Sequence, residues 1–319
     1  MKAGESSGAS LALDEQDPGL GVHRFAHAAM ATVFEVHCVH ADPRYARQAA
    51  QAAFDLVDRL EQELSRFVAN SDISRINALA AGETTRVSPS TMECLGIARR
   101  MHALTRQAFD VSIGTGLERL ELVPDDFAVR AREAGAQLDL GGIGKGFAVD
   151  FMAESLREWD IRCALVHGGY SSVLAGDAPP GRDGWPLTLS APGAGGVLAR
   201  VSARQKALSA SGTRKGDHIR DPRTGRAVRD RAAWVALSWR EAAETEAAAS
   251  AAWGLEAARS PAAVAEAFST AFMLLPLEEI EGLCRQCPGL SAWLMLEPTE
   301  GEDAARALVH LAASGPAAG

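Results

Sequence analysis

The sequence predicts a mixed α+β fold, a single compact unit in which sheets are flanked by helices. Two periodicities occur along the 319 residues: short segments alternate apolar and polar residues, and longer ones repeat apolar residues at every third or fourth position. These segments follow one another without a regular βαβ rhythm. Neither an internal repeat nor a linker-like change of composition divides the chain, so we expect one domain.

The first predicted elements follow a tail over residues 1–22, which we expect to be disordered because it is rich in Gly, Ser and acidic residues. A half-buried strand is predicted over 32–39, where apolar and polar residues alternate. A helix is predicted over 43–64 because its apolar residues form one stripe. The stripe consists of Ala50, Ala53, Phe54, Val57, Leu60 and Leu64.

Two serines are predicted to begin helices. Ser71 precedes a short turn that ends at residue 77, and Ser88 precedes a helix that starts with Pro89. Residues 108–116 interrupt the pattern with a run of small residues, which predicts an unpacked loop.

A short strand over 138–140 is predicted to lead through a glycine-rich turn into a helix. The apolar stripe of that helix contains Ala148, Phe151, Met152, Ser155 and Trp159. A strand over 164–166 follows, and turn residues then separate further short strands up to about residue 237.

The last third is predicted to contain two helices, one over 241–259 and one that begins at Pro261. A final strand is predicted over 292–296, and residues 313–319 are expected to form a frayed tail.

Composition excludes several classes of protein. A formal net charge of −9 argues against a nucleic-acid-binding protein, because such proteins carry basic surfaces that neutralise phosphates. No stretch approaches the roughly 20 apolar residues of a membrane span. Because the first residues lack the basic and apolar regions of a signal peptide, we expect a cytoplasmic protein. Cys284 and Cys287 form a CxxC pair, for which two packed small side chains are favoured over a redox pair.

The glycine-rich segment over 141–146, between Asp139 and the predicted helix, has the composition of a phosphate-binding turn. Glycines allow close backbone approach, amide groups at a helix N-terminus favour anions, and Lys145 adds a positive charge. It matches neither the Walker pattern nor G-x-G-x-x-G. A purely structural glycine turn is an equally good interpretation of these residues alone.

Two further groups of residues have chemical potential. Ser211 ends a hydroxyl-rich strand, and His218 opens a turn over 218–225 in which a proton could be exchanged; a polar turn with a solvated histidine is the alternative. Glu266 and Thr270 are four residues apart and share a helix face, where their oxygens could bind a hard cation. An ordinary helix surface is the alternative there.

The order of these motifs resembles that of the ApbE family, the FAD:protein FMN transferases. The resemblance covers roughly residues 24 to 300, and the segments 139–150 and 218–225 are its most specific parts. It implies a T-fold-like domain over residues 23–312 with FAD in a cleft. Further motifs occur in the family's order at Met30–Thr32, residues 64–67, 71–77, 108–110, 165–169, 211–212 and 266–272.

The resemblance also implies roles for individual positions. His218 and Asp110 are implied as catalytic, and the Gly142 carbonyl, Glu266 and Thr270 as ligands of Mg²⁺. The positions implied to contact FAD are Met30, Phe67, Ala108, Phe109, Asp110, Asp139, Lys145, Ser211 and Ile219.

The implied reaction is transfer of FMN from FAD to a Thr or Ser hydroxyl of a partner flavoprotein, with release of AMP. Three features differ from the family pattern: Glu266 replaces an aspartate, residues 167–170 read His-Gly-Gly-Tyr with no Asn, and the segment between Asp110 and Asp139 is shorter than usual. An FAD pyrophosphatase and a non-catalytic FAD-binding protein are the alternative functions.

Overall fold

The computed structural model describes residues 10–13, 21–190, 196–212, 220–228, 231–239, 259–296 and 307–312. These residues contain fourteen strands and six α-helices. The strands are β1 (Ser10–Leu13), β2 (Val22–Ala29), β3 (Thr32–Val39), β4 (Thr84–Arg86), β5 (Leu120–Val123), β6 (Ala128–Ala131), β7 (Ala164–Gly168), β8 (Ser172–Ala175), β9 (Trp185–Ser190), β10 (Val197–Ala203), β11 (Lys206–Ser211), β12 (Arg231–Ser238), β13 (Leu290–Leu296) and β14 (Ala307–Ala312). The helices are α1 (Pro43–Leu64), α2 (Asp72–Asn77), α3 (Pro89–Leu104), α4 (Gly144–Glu158), α5 (Pro261–Phe272) and α6 (Leu277–Gln286).

An eight-stranded antiparallel sheet forms the middle layer, in the order β14-β13-β12-β11-β8-β7-β3-β2. Helices α4 and α5 pack on one face, α4 against β7 and β8 and α5 against β11 and β12, and α1 packs on α4. A three-stranded sheet, β1-β9-β10, covers the other face with a second apolar cluster that includes Trp185 and Trp234. Because both faces are covered, β7 and β8 are buried at every residue.

Local sequence signals account well for the first helices. Helix α1 has the predicted bounds, and the Asp42 side chain accepts hydrogen bonds from two amides of its first turn. Ser71 and Ser88 cap α2 and α3 as predicted, at 2.9 and 3.1 Å from the amides of Ser74 and Thr91. Strand β3 also has its predicted bounds.

Four predictions of local structure were wrong or incomplete. Residues 10–13, assigned to the disordered tail, form β1 on the edge of the small sheet. Residues 292–296 are not the last strand, because β14 pairs beyond them. Residues 138–140 form no strand, because the main chain of Leu138 is hydrogen-bonded to the Asn77 side chain. The Leu138 amide donates to Asn77 at 2.6 Å, and Asn77 donates to the Leu138 carbonyl at 3.0 Å. Residues 108–116 lack regular structure as predicted, yet Ala108 and Phe109 are buried.

Other predictions concern segments outside the described residues, namely the helix over 241–259 and the tail over 313–319. Cys284 lies in α6 and Cys287 directly after it; both are buried free thiols, and burial raises the pKa of each to about 12. This environment agrees with packed small side chains. None of the helices in the described segments is long and apolar enough to cross a membrane.

His167 makes stability depend on pH. Its ring lies on the face of β7 towards the small sheet, where Nε2 is 3.1 Å from the Leu11 carbonyl oxygen, and desolvation lowers its pKa to about 4. The unfolded chain, with an ordinary pKa near 6.5, therefore binds more protons between pH 6.5 and 4. The neutral ring stabilises the fold fully above pH 6.5, and this contribution is lost as the pH falls.

We expect the unfolding free energy to fall by about 1 kcal/mol between pH 6.5 and 5.5 because of this residue. His167→Gln keeps a side-chain donor and does not titrate, so its urea unfolding curves should show a correspondingly flatter pH dependence. Equal slopes for the two proteins would show that His167 does not control this range.

Candidate functional site

The glycine-rich turn before α4 holds most of its own amide groups in intramolecular bonds. The Gly141 amide donates to the Asp139 carboxylate at 2.8 Å, and the amides of Ile143 and Gly144 donate to the Leu140 carbonyl at 3.0 and 2.7 Å. The predicted cradle of free amides is therefore not what the structure has at these positions. A phosphate contact here depends mainly on the Lys145 side chain.

Glu266 connects this turn to α5. Its side chain is only 4% exposed, and Oε2 accepts a hydrogen bond of 2.6 Å from the Gly146 amide. Oε1 is ion-paired with Lys145 Nζ, which is also 3.3 Å from the Gly141 carbonyl oxygen. The extra methylene of Glu266, relative to an aspartate, is thus used to reach the first turn of α4.

Helices α4 and α5 are in backbone contact where the site is built. A methyl group placed on Gly146 would lie 2.3 Å from the Ala262 carbonyl oxygen, so only glycine fits there. The buried Asp150 carboxylate accepts hydrogen bonds of 2.9 Å from the amides of Ala262 and Ala263, and so caps α5. Burial raises the pKa of this carboxyl well above its usual range, although the two amides act in the opposite direction.

Two side chains of the predicted cation site, Glu266 and Thr270, lie beside the glycine-rich turn. Thr270 lies one helical turn after Glu266, and its Oγ1 would be 3.4 Å from a methyl group placed on Gly142. A carboxylate, a hydroxyl and main-chain carbonyls are the ligands that a hard cation prefers. The carboxylate already binds a positive charge, the Lys145 ammonium. The residues therefore fit a divalent cation such as Mg²⁺. Within the described residues, no three His, Cys, Asp or Glu side chains form a separate metal-binding group.

Hydroxyl groups join β11 to the same stretch of α5. Ser269 Oγ donates to the Glu266 carbonyl at 2.9 Å. Since a hydroxyl has one proton, Ser209 and Ser211 must donate to Ser269, at 3.1 and 2.8 Å. This places Ser211, a predicted site residue, next to the Glu266 turn of α5.

Asp110 organises the loop that covers one side of the site. Its carboxylate accepts hydrogen bonds from the Ser112 amide and hydroxyl, at 2.8 and 2.7 Å, and from the Gly114 amide at 2.8 Å. Phe109 is buried, and its ring would be 3.3 Å from a methyl group on Gly142. The loop therefore packs directly on the glycine-rich turn.

Residues 220–225, the described part of the predicted 218–225 turn, contact the loop that follows Asp110. A methyl group on Gly114 would lie 2.8 Å from the Pro222 carbonyl oxygen. Asp221 holds the Arg223 guanidinium at 2.9 and 3.0 Å, and this hydrogen-bonded pair lowers the pKa of Asp221. The first two residues of this motif, His218 and Ile219, lie outside the described residues.

A cavity of about 260 Å³ extends the site on the Asp139 side. It is lined by Arg66, Phe67, Ser74, Asn77, Ala78 and Gln137. Arg66 pairs with the Asp139 carboxylate at 3.1 Å and also lies over the Phe67 ring, 4.6 Å from its centre. Phe67 is 83% exposed, so one aromatic face is open to a planar ligand.

Met30 lies in the hairpin turn between β2 and β3. Met30 and Ala31 both have positive φ, at 48° and 56°, and join β2 to β3. The Gly169 amide donates to the Val33 carbonyl at 2.9 Å, which places this hairpin next to the β7–β8 turn. Gly168 lies against Val149 of α4, so the hairpin is also close to the helix that starts the site.

Sequence reasoning missed three residues that build this site: Asn77, Arg66 and Asp150. Asn77 and Arg66 lie within motifs noted in the sequence, but their partners, Leu138 and Asp139, are more than 60 residues away. Asp150 ends the noted segment 139–150, but its partners are 112 and 113 residues further on. No local pattern contains that information.

Comparison with solved structures defines the class of fold. Flavin transferase ApbE from Vibrio cholerae superimposes with a TM-score of 0.73 at 18% identity, over 92% of this chain and 98% of that one. The flavinyl transferase ApbE of Pseudomonas stutzeri gives a TM-score of 0.73 at 20% identity, over 92% and 95%. At these identities the likeness is one of fold: an ApbE-type α+β domain.

Sequence comparison then identifies the family. The ApbE family profile matches residues 30–121 and 115–264, and the chain belongs to the ApbE family. It is 27% identical over 222 residues to the FAD:protein FMN transferase of Vibrio cholerae serotype O1, covering 57% of this chain and 66% of that protein. It is 29% identical over 200 residues to the FAD:protein FMN transferase of Rhodobacter capsulatus, covering 50% and 38%. The chain thus matches just under two thirds of the first relative and a smaller part of the second.

We predict that Asp150→Ala lowers the unfolding free energy by about 2–3 kcal/mol, because it leaves two buried amides of α5 without an acceptor. Urea unfolding followed by circular dichroism measures this. Asp55→Ala, on the exposed side of α1, is the matched control and should change stability by about 0.5 kcal/mol or less. Similar losses in both variants would contradict a capping role for Asp150.

Proposed function

We propose that this protein is an FAD:protein FMN transferase, which transfers FMN from FAD to a Thr or Ser hydroxyl of a partner flavoprotein. The observation that carries the proposal is the convergence of Lys145, Glu266 and Thr270 beside the glycine-rich turn. Family membership and the names of the relatives support the choice of substrate.

FAD is expected to span two parts of the site. Its pyrophosphate would lie near Lys145, and a ring system would stack on the exposed face of Phe67, next to the cavity of about 260 Å³. Arg66 and Asp139 neutralise each other between these two parts. Of the other predicted FAD contacts, Ala108 and Phe109 form the buried base of the loop, and Met30 lies in the turn between β2 and β3.

In the proposed reaction, the acceptor oxygen attacks the FMN phosphorus, and the phosphoanhydride bond to AMP breaks. The acceptor proton passes to a base, and AMP leaves with the bridging oxygen. The Asp110 carboxylate is occupied by three loop donors, so we assign Asp110 to organising the loop and His218 to accepting the proton. Mg²⁺ held by Glu266, Thr270 and the Gly142 carbonyl would supply positive charge that offsets the pyrophosphate.

The test is to incubate the protein with FAD, Mg²⁺ and a flavoprotein domain that bears the acceptor Thr. Covalent flavin detected by in-gel fluorescence, together with stoichiometric AMP, supports the transferase. AMP without covalent flavin would identify an FAD pyrophosphatase, and bound FAD with neither product would identify a binding protein.

The Glu266 carboxylate should be essential for Mg²⁺-dependent transfer. We expect Glu266→Gln, which keeps the side-chain length but not the charge, to lower kcat/KM by about 10²-fold, or about 2.7 kcal/mol. Glu266→Asp keeps the charge but cannot reach the Gly146 amide from the same backbone position, so its activity should lie between those of wild type and Glu266→Gln.

Steady-state transfer at several Mg²⁺ concentrations measures this series. Glu154→Gln removes a carboxylate from the exposed side of α4 and is the matched control, with unchanged kinetics expected. Wild-type magnesium dependence in Glu266→Gln would exclude Glu266 as a ligand.

A further inference from the structure

We propose that Lys145 acts as a counter-cation for the metal site: its ammonium pairs with the Glu266 carboxylate while no divalent cation is bound there, and moves to the substrate's pyrophosphate when the cation binds. This inference rests on the proposed function for the identity of the second partner. Lys145 would bind first the Glu266 carboxylate and then the pyrophosphate. Binding of the metal would thereby be coupled to binding of FAD.

The ion pair between Lys145 and Glu266 follows from burial of the carboxylate. The Glu266 side chain is 4% exposed, and a buried carboxylate without a positive partner is strongly destabilising. The Gly146 amide supplies one hydrogen bond, and the Lys145 ammonium supplies the compensating charge. The same ammonium is 3.3 Å from the Gly141 carbonyl, so it is bound by oxygens of the kind that a metal ion would use.

The two partners differ in their freedom to move. Glu266 is held from α5 by burial and by the Gly146 amide. Lys145 has a 25% exposed side chain on a flexible four-carbon stem. A divalent cation at the carboxylate would repel the ammonium at contact distance, so Lys145 is the group that must leave. The pyrophosphate offers it a new anionic partner.

Opposite effects on two ligands are expected from Lys145→Met. Without FAD, the affinity for Mn²⁺, measured by electron paramagnetic resonance, should rise about tenfold because the competing ammonium is gone. At saturating Mg²⁺, the affinity for FAD should fall about tenfold or more in calorimetry, because the charge-assisted contact of the displaced ammonium with the pyrophosphate is lost. Lys206→Met removes the same charge from the far end of β11 and should change neither value.

Unchanged or weaker Mn²⁺ binding by Lys145→Met would overturn the proposal, as a lysine that only stabilises the fold or only contacts phosphate cannot block the metal. The Mn²⁺ measurement needs neither FAD nor an acceptor protein. Failure of flavin transfer would therefore reject the proposed function without deciding this result.

A measurement on the wild-type chain covers the case in which the variant does not fold. Brief acetylation followed by peptide mass spectrometry reports the accessibility of each lysine amine. Lys145 should be modified faster after Mn²⁺ is added, because its ammonium is displaced from Glu266, whereas Lys206 serves as the internal control and should not change. An equal or slower rate at Lys145 would overturn the proposal.

Discussion

The contact between α4 and α5 at Gly146 is the constraint on which the rest of the site depends. The Ala262 carbonyl oxygen occupies the space where a side chain on residue 146 would be, so the two backbones touch. Asp150 holds this approach by accepting from two amides at the start of α5. With the helix fixed in position and rotation, Glu266 and Thr270 can only point at the glycine-rich turn.

Contacts with the large sheet and with Arg231 also hold α5 in position. Helix α5 packs on β11 and β12, and the Ser209, Ser211 and Ser269 hydroxyls join strand to helix directly above the Glu266 turn. At the other end of α5, Arg231 donates to the carbonyls of Phe272 and Leu275. A helix held at both ends and along one side can present a carboxylate in a defined place, although that carboxylate is buried.

The loop and cavity around the turn are held by side chains from distant parts of the chain. Asn77 is hydrogen-bonded to the backbone of Leu138, and Arg66 is ion-paired with Asp139. Asp110 accepts hydrogen bonds from its own loop, whose Phe109 ring packs against Gly142. Each of these side chains binds main chain or a charged partner and therefore has a structural role. The open face of Phe67 and the Lys145–Glu266 pair are the parts best suited to interact with a ligand.

The sequence alone determined the features that depend on near neighbours. Helix α1, the caps at Ser71 and Ser88, strand β3 and the helix after the glycine-rich turn follow from periodicity and capping, and the order of motifs indicated the family. Only the tertiary structure decided that Glu266 pairs with Lys145, 121 residues away, that β1 and β14 are strands, and that residues 138–140 are not. The physical reason is that an edge strand, a buried ion pair or a side chain bound to distant backbone is stable only when its partner is present, and that partner leaves no mark on the neighbouring sequence.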